Sequence, residues 1–230
     1  MSSSPPSLTE RLLEAAAGRL GGTARDGQRR MAAAVAEAVA TGGRLLVQAG
    51  TGTGKSLAYL APAAAHLVER PGSRAVVATA TLALQTQLAT KDIPTVVAAT
   101  AAVAGRDLAW SLLKGRSNYA CLLRVRDGAG PGQAELVAAP DLAALRGGAD
   151  EASALGAEVV ALRQWAEDEL AADLPGDRDT APEHSAKAWS QVAVAARECV
   201  GVQACPYAGE CFAEAARDRA RLSDLVVTNH

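Results

Sequence analysis

Residues 49–56 read Ala-Gly-Thr-Gly-Thr-Gly-Lys-Ser. Glycines alternate with threonines and end on a lysine and a hydroxyl, the residue types that hold a polyphosphate. The glycines (Gly50, Gly52, Gly54) let successive backbone N–H groups turn inward. A helix starting at the end of the loop adds about half a positive charge beneath the phosphates. Lys55 then reaches the β- and γ-phosphates, and the Ser56 hydroxyl ligates Mg²⁺. The flanks suit this P-loop: an apolar run, Leu45-Leu46-Val47, precedes it, and a helix-like stretch, Leu57-Ala58-Tyr59-Leu60, follows. The general pattern opens on Gly where this chain has Ala49. The plain alternative is a Gly-rich turn with no ligand.

Four cysteines form the second group with chemistry. Cys199, Cys205 and Cys211 are spaced C-x5-C-x5-C, and Cys121 lies 78 residues earlier. Four thiolates can close one tetrahedral zinc site or one iron–sulfur cubane. Zinc sites favour C-x2–4-C pairs, which are absent here, and the wider spacing suits a cubane whose corners each take one thiolate. Zinc and four unrelated buried thiols remain alternatives. Lys114, Arg116, Arg124 and Arg126 surround Cys121, and Arg217, Arg219 and Arg221 follow Cys211. Such cations suit a phosphate backbone, or else form a neutralising shell around a cluster.

The elements that must position these groups can be read from periodicity and punctuation. Residues 1–8 are Ser/Pro-rich and expected to be disordered. Helices are expected over 8–20, over 26–41 capped by Asp26, from the P-loop to about Arg70 with a bend at Pro62, and from Thr81 to Thr90. Strands are expected at 44–48, 75–78 and 224–228. The β–loop–α–β order implies parallel strands with crossover helices. Beyond residue 100 the pattern is mostly helical.

Composition bounds the class. The chain has 230 residues, 49% of them hydrophobic but only 3% aromatic, so the core must be Ala, Leu and Val. There is no secretory signal pattern and no apolar run of membrane-spanning length, so a cytoplasmic protein with reduced cysteines is expected. The net charge of −2 hides an asymmetry: residues 135–183 hold twelve acids against three bases, net −9, which leaves +7 elsewhere. A basic body with one acidic excursion is compatible with a polyanionic partner. An ordinary solvated helix surface is the alternative.

Several stretches, in order, resemble the iron–sulfur helicases of superfamily 2, the DinG/XPD-like group. Arg25 to Met31 looks like the N-terminal Q-type motif, with Gln28 at the adenine edge. Gln48-Ala49-Gly50-Thr51-Gly52-Thr53-Gly54-Lys55-Ser56 is similar to helicase motif I, in which Ala at the loop's first position is normal. Thr79 to Leu88 looks like motif Ia, implying contacts to single-stranded DNA from Thr79, Thr81 and Gln85. Lys114 to Cys121 and Cys199 to Phe212 resemble the ligand segments of a [4Fe-4S] cluster, and Asp224 to His230 resembles the strand and Asn-His pair that end this region. The resemblance spans about residues 22–230, with 128–183 as a variable acidic insertion.

It implies an α/β fold: a P-loop RecA-like motor domain, a parallel sheet with helices on both faces, carrying a mainly helical iron–sulfur insertion. The expected organisation is an N-terminal tail and helix over 1–20, the motor lobe over 21–112 and 220–230, and the insertion over 113–219. The implied activity is ATP-dependent 5′→3′ translocation on single-stranded or forked DNA in repair or replication, by a monomer using ATP, Mg²⁺ and the cluster. The family's next motif, an apolar strand ending in Asp-Glu-Ala-His, does not occur here, nor does the second motor domain. The chain therefore reads as the N-terminal part of a longer helicase, expected to bind nucleotide and to hydrolyse it poorly if at all. Two rival readings stay open: a non-helicase P-loop NTPase with a zinc-stapled insertion, and a non-catalytic nucleic-acid-binding module.

Overall fold

A computed structural model describes residues 5–50, 52–128 and 145–229, with side chains from 154 onward in the last segment. Thr51, His230 and the first part of the acidic insertion, 129–144, lie outside the described residues. The chain divides into two units, Met1–Leu113 with Ala220–His230, and Lys114–Arg219.

The first unit is built on a three-stranded parallel sheet. Strands β1 (Ala75–Thr79), β2 (Trp110–Leu113) and β3 (Leu225–Asn229) stand in the order β1-β3-β2, with Ala75 and Trp110 both level with Leu225. Pairing β1 with β3 joins residues some 150 apart, so the last strand becomes the centre of the sheet. Helices α1 (Leu8–Arg19), α2 (Asp26–Thr41) and α3 (Lys55–Glu69) precede the strands. Alternation along the strands turns Val77, Leu112, Leu225 and Val227 to one face, where they meet Leu60 and Val96 in the core. The opposite face is less covered, and its Val76 is 63% exposed.

Three expectations need correction here. Residues 44–48 form no strand: Leu46 is fully exposed, and the segment pairs with none of the described strands. An apolar run becomes a strand only when a neighbour takes its N–H and C=O groups, and no local pattern announces that neighbour. Ser7 and Leu8 are not part of a disordered tail. Ser7 caps α1 in a capping box, its hydroxyl accepting from Glu10 N–H at 3.2 Å and its own N–H donating to the Glu10 carboxylate at 2.8 Å. Finally, Asp26 is the first helical residue of α2 and not its cap, which is Arg25.

A continuous helical run follows β1: α4 (Leu82–Gln87), a π-helical turn (Leu88–Asp92) and α5 (Ile93–Ala104). Pro94 explains the wide turn. It has no N–H, and in an α-helix its ring would press on the carbonyl four residues back. Widening the turn relieves this, and Ile93 N–H donates to the Leu88 carbonyl five residues back.

The second unit is mostly helical: α6 (Leu122–Asp127), α7 (Leu145–Ala171), α8 (Ala186–Val192) and the body of α9 (Phe212–Leu222). Isolated bridges Tyr119–Asp177 and Ala120–Ala193 hold the irregular segments between them. Its aromatic centre is Trp189, 4% exposed, whose indole N–H donates to the Ser117 carbonyl at 2.8 Å and whose ring lies 6.1 Å from that of Trp165. No helix among the described residues is long and apolar enough to cross a membrane.

Candidate functional site

The first unit gathers its chemistry at the start of α3. Gly52 and Gly54 have φ of 75° and 73°, the left-handed region open to glycine, and they turn the chain so that α3 begins at Lys55. Lys55 Nζ donates to the Ala49 carbonyl at 2.8 Å and to that of Gly50 at 3.2 Å. Thr53 Oγ1 closes the loop by donating to the Gly50 carbonyl at 2.9 Å. The lysine thus folds back onto its own loop.

Two residues of the adjoining segment brace the loop from outside. Arg25 Nη1 donates to the Gly52 carbonyl at 3.1 Å, and Gln28 Nε2 to that of Gly54 at 3.1 Å, while Gln28 Oε1 accepts from Arg25 N–H at 2.9 Å. Gln28 is buried, and a Cβ added to Gly54 would lie 2.1 Å from its Nε2. The carbonyl and one N–H of Gln28 are therefore used within the protein. The sequence motif pointed to Gln28 but not to Arg25 as a brace.

The loop opens into a cleft whose walls include Gln28, Lys55, Ser56, Gln87, Lys91 and Asp92. Of the last three, Gln87 lies in the Thr79–Leu88 motif without being singled out, and Lys91 and Asp92 lie outside every motif read in the sequence. They come from the end of α4 and the π-helical turn, and nothing in their spacing marks them. Of the three residues expected to meet DNA, Thr79 and Gln85 are 2% and 1% exposed. Thr79 Oγ1 donates to the Thr81 carbonyl at 3.2 Å, and among the described residues neither amide atom of Gln85 has a partner. Thr81 alone is exposed, and its hydroxyl caps α4 by accepting from Leu84 N–H at 3.3 Å. Thr79 and Gln85 therefore shape the turn from inside, while Thr81 and most of the other residues of the motif are exposed.

In the second unit all four cysteines line one cavity, with Tyr119, Leu122 and Val194 among its apolar walls. Each cysteine sits where the backbone changes direction. Cys121 precedes α6 and donates its N–H to the Val192 carbonyl at 2.7 Å, Cys211 precedes α9, and Cys199 and Cys205 close turns on Ala195 and Gly201. All four are free and partly exposed. Burial pushes the Cys121 thiol up, against the N–H groups of Arg124 and Leu123 that point to its sulfur and favour thiolate. Arg116 reaches Cys211 Sγ at 3.9 Å. No three His, Cys, Asp or Glu side chains among the described residues are grouped to hold a single metal ion; the thiols instead surround a space.

The cations near the cysteines are engaged. Lys114 Nζ lies 2.8 Å from Asp177 and 2.6 Å from Asp179, Arg124 pairs with Glu198, and Arg126 with both Glu167 and Glu210. Arg116 and Arg217 share Glu214. Asp177, Asp179 and Glu167 belong to the acidic stretch, so part of that excess is counter-charge for these cations. Gly176, with φ of 60°, packs directly on Phe212, where a Cβ would come within 2.5 Å of the ring. The acidic segment is thereby pressed against the residue next to Cys211.

Comparison with known proteins gives concordant results. Residues 28–105 match the DEAD/DEAH box helicase family. The chain is 44% identical over its whole length to the ATP-dependent helicase DinG of Mycobacterium tuberculosis (strain ATCC 25177 / H37Ra), covering 34% of that protein. It is 37% identical over 90% of its length to the ATP-dependent DNA helicase YoaA of Escherichia coli (strain K12), covering 28%, and 30% identical over 88% to the ATP-dependent DNA helicase DinG of the same strain, covering 27%. The chain spans between about a quarter and a third of the length of these relatives. The likenesses extend over nearly the whole of this chain, and its parallel sheet flanked by helices is of α/β class.

Proposed function

We propose that this chain is the ATP-binding lobe of a DinG-like ATP-dependent DNA helicase, together with that lobe's iron–sulfur insertion. One observation carries the reading: a glycine-turned loop at the N-terminus of α3, with Lys55 held on the carbonyls of Ala49 and Gly50 and Gln28 bonded to Gly54. ATP·Mg²⁺ supplies the free energy of phosphoryl transfer to water. The protein's part is to bind and orient. The triphosphate draws Lys55 off the loop carbonyls, because an ionic partner outbids two neutral oxygens. The N–H groups of the loop and of the first turn of α3 cradle the phosphates, Ser56 offers its hydroxyl to Mg²⁺, and the remaining N–H of Gln28 faces the adenine edge. Thr81 would touch a single DNA strand, with Thr79 and Gln85 holding its turn in shape.

Cys121, Cys199, Cys205 and Cys211 would hold a [4Fe-4S] cluster. Four thiols lining one apolar cavity, with backbone N–H groups directed at Cys121 sulfur, support this reading. Its role in this reading is to staple irregular chain into one shape that guides a DNA strand. The whole protein acts as a monomer on single-stranded or forked cytoplasmic DNA.

The test is direct. A fluorescent ATP analogue should bind with Mg²⁺, and Lys55→Ala should weaken it about 10- to 100-fold, the worth of a charged hydrogen bond. Anaerobically purified protein should contain iron and acid-labile sulfide in equal amounts, unaffected by the same substitution. Nucleotide binding indifferent to Lys55, or zinc in place of iron, would overturn the corresponding half.

A further inference from the structure

The π-helical turn beside the P-loop brings together a pair that an α-helix would keep apart. Gln87 and Asp92 are five residues apart, which in an α-helix places them about 140° apart around the axis. In the wider turn five residues make little more than one revolution, so the two side chains align. Gln87 Nε2 donates to Asp92 Oδ2 at 3.0 Å. Asp92 is 4% exposed, and both residues line the cleft that holds Lys55 and Ser56. Among the described residues neither an ion pair nor a hydrogen bond to Oδ1 accompanies this carboxylate. Burying a carboxylate without a cation is costly, and here it is done at the edge of a polyphosphate site. The environment of Tyr59 supports the proximity: burial raises its phenol, the Ser56 hydroxyl bonds to it, and the charge of Asp92 raises it further.

We propose that Asp92, aimed by Gln87, is a positioning residue for the magnesium of the bound nucleotide, its Oδ1 accepting a hydrogen bond from a water on the metal that Ser56 ligates. This rests on the nucleotide-site reading. A bare triphosphate and Asp92 repel each other, whereas the Mg²⁺ complex carries metal-bound water whose protons a carboxylate takes up well. The site would thereby favour the metal complex over free nucleotide.

Opposite signs make this testable. Mant-ATP binding is titrated with Mg²⁺ and, separately, in EDTA. In Asp92→Asn the Mg²⁺ needed for half-maximal binding should rise about tenfold, as for other groups that orient a metal's ligands, while binding in EDTA stays equal or tightens. Asp92→Glu should restore part of the Mg²⁺ response. Gln87→Ala, which leaves the charge but frees the carboxylate, should shift the midpoint in the same direction by less; it also carries the test should Asp92→Asn fail to fold. An unmoved midpoint, or equal losses with and without Mg²⁺, overturns the proposal. Absence of nucleotide binding in the unsubstituted protein would instead overturn the nucleotide-site reading beneath it.

Discussion

Lys114 illustrates how one charge can be spent inside a fold. Its side chain is 2% exposed and faces Asp177, itself 12% exposed, and Asp179, 46% exposed. Burial opposes the ammonium, but the hydrogen bonds to Asp177 and Asp179 outweigh it and hold Lys114 above its ordinary 10.5. Lys114→Met strands Asp177 without its cation and should cost about 3 kcal/mol, the lower end for a broken buried pair because Asp179 stays half in water. The sign with pH follows from the raised value. The contribution is complete below pH 10.5 and is lost as pH rises through the folded-state value. Urea midpoints should therefore separate the two proteins fully at pH 7, and the gap should narrow above about pH 10.5. The motif containing Lys114 was legible in the sequence, whereas its partners 63 and 65 residues away were not.

Elements decide what residues can reach. The P-loop is a turn whose last glycine serves two ends: it adopts a left-handed φ, and it leaves room for the Gln28 amide. Gly54→Ala strains the first and collides with the second. Displacing Gln28 also uncovers the start of α2, since the same side chain accepts from Arg25 N–H. We expect Gly54→Ala to weaken nucleotide binding by at least about tenfold, from roughly 1–2 kcal/mol of backbone strain together with the lost brace. A matched titration of the analogue checks this; unchanged affinity would mean that the loop reaches its bound form without that turn. The π-helical turn is the complementary case. Pro94 is visible in the sequence, and with it a break in regular hydrogen bonding. That the break would widen the helix and align Gln87 with Asp92, instead of ending it, depended on α5 finding a place in the core through Ile93 and Val96.

At the scale of the molecule, two units draw on different sources of stability. Residues 1–113 with 220–230 have a Leu, Ala and Val core on a parallel sheet. Residues 114–219 have a smaller apolar centre around Trp189 and Leu162, and much irregular backbone around the four cysteines. If those thiolates hold the cluster, its binding energy is part of that unit's folding energy. Removing iron with a chelator under reducing conditions should increase proteolysis between residues 114 and 219, mapped by mass spectrometry, while mant-ATP binding is retained. Cys121→Ser should give the same pattern. Equal loss of both properties would show that the units do not fold independently.

The sequence by itself determined the residue types on offer: a Gly-rich loop ending in Lys-Ser between an apolar run and a helix, four cysteines, and the α/β alternation. These are local facts, carried by residues close in the chain or by residue type alone. Only the tertiary structure decided which groups meet. It left residues 44–48 unpaired with any described strand, buried Thr79 and Gln85, set Gln28 against Gly54, placed Asp92 in the cleft that Lys55 and Ser56 line, closed four cysteines from distant segments around one cavity, and made the last strand the centre of the sheet. Each of these depends on contacts between parts of the chain far apart in sequence, where neither periodicity nor a short motif carries information about the partner.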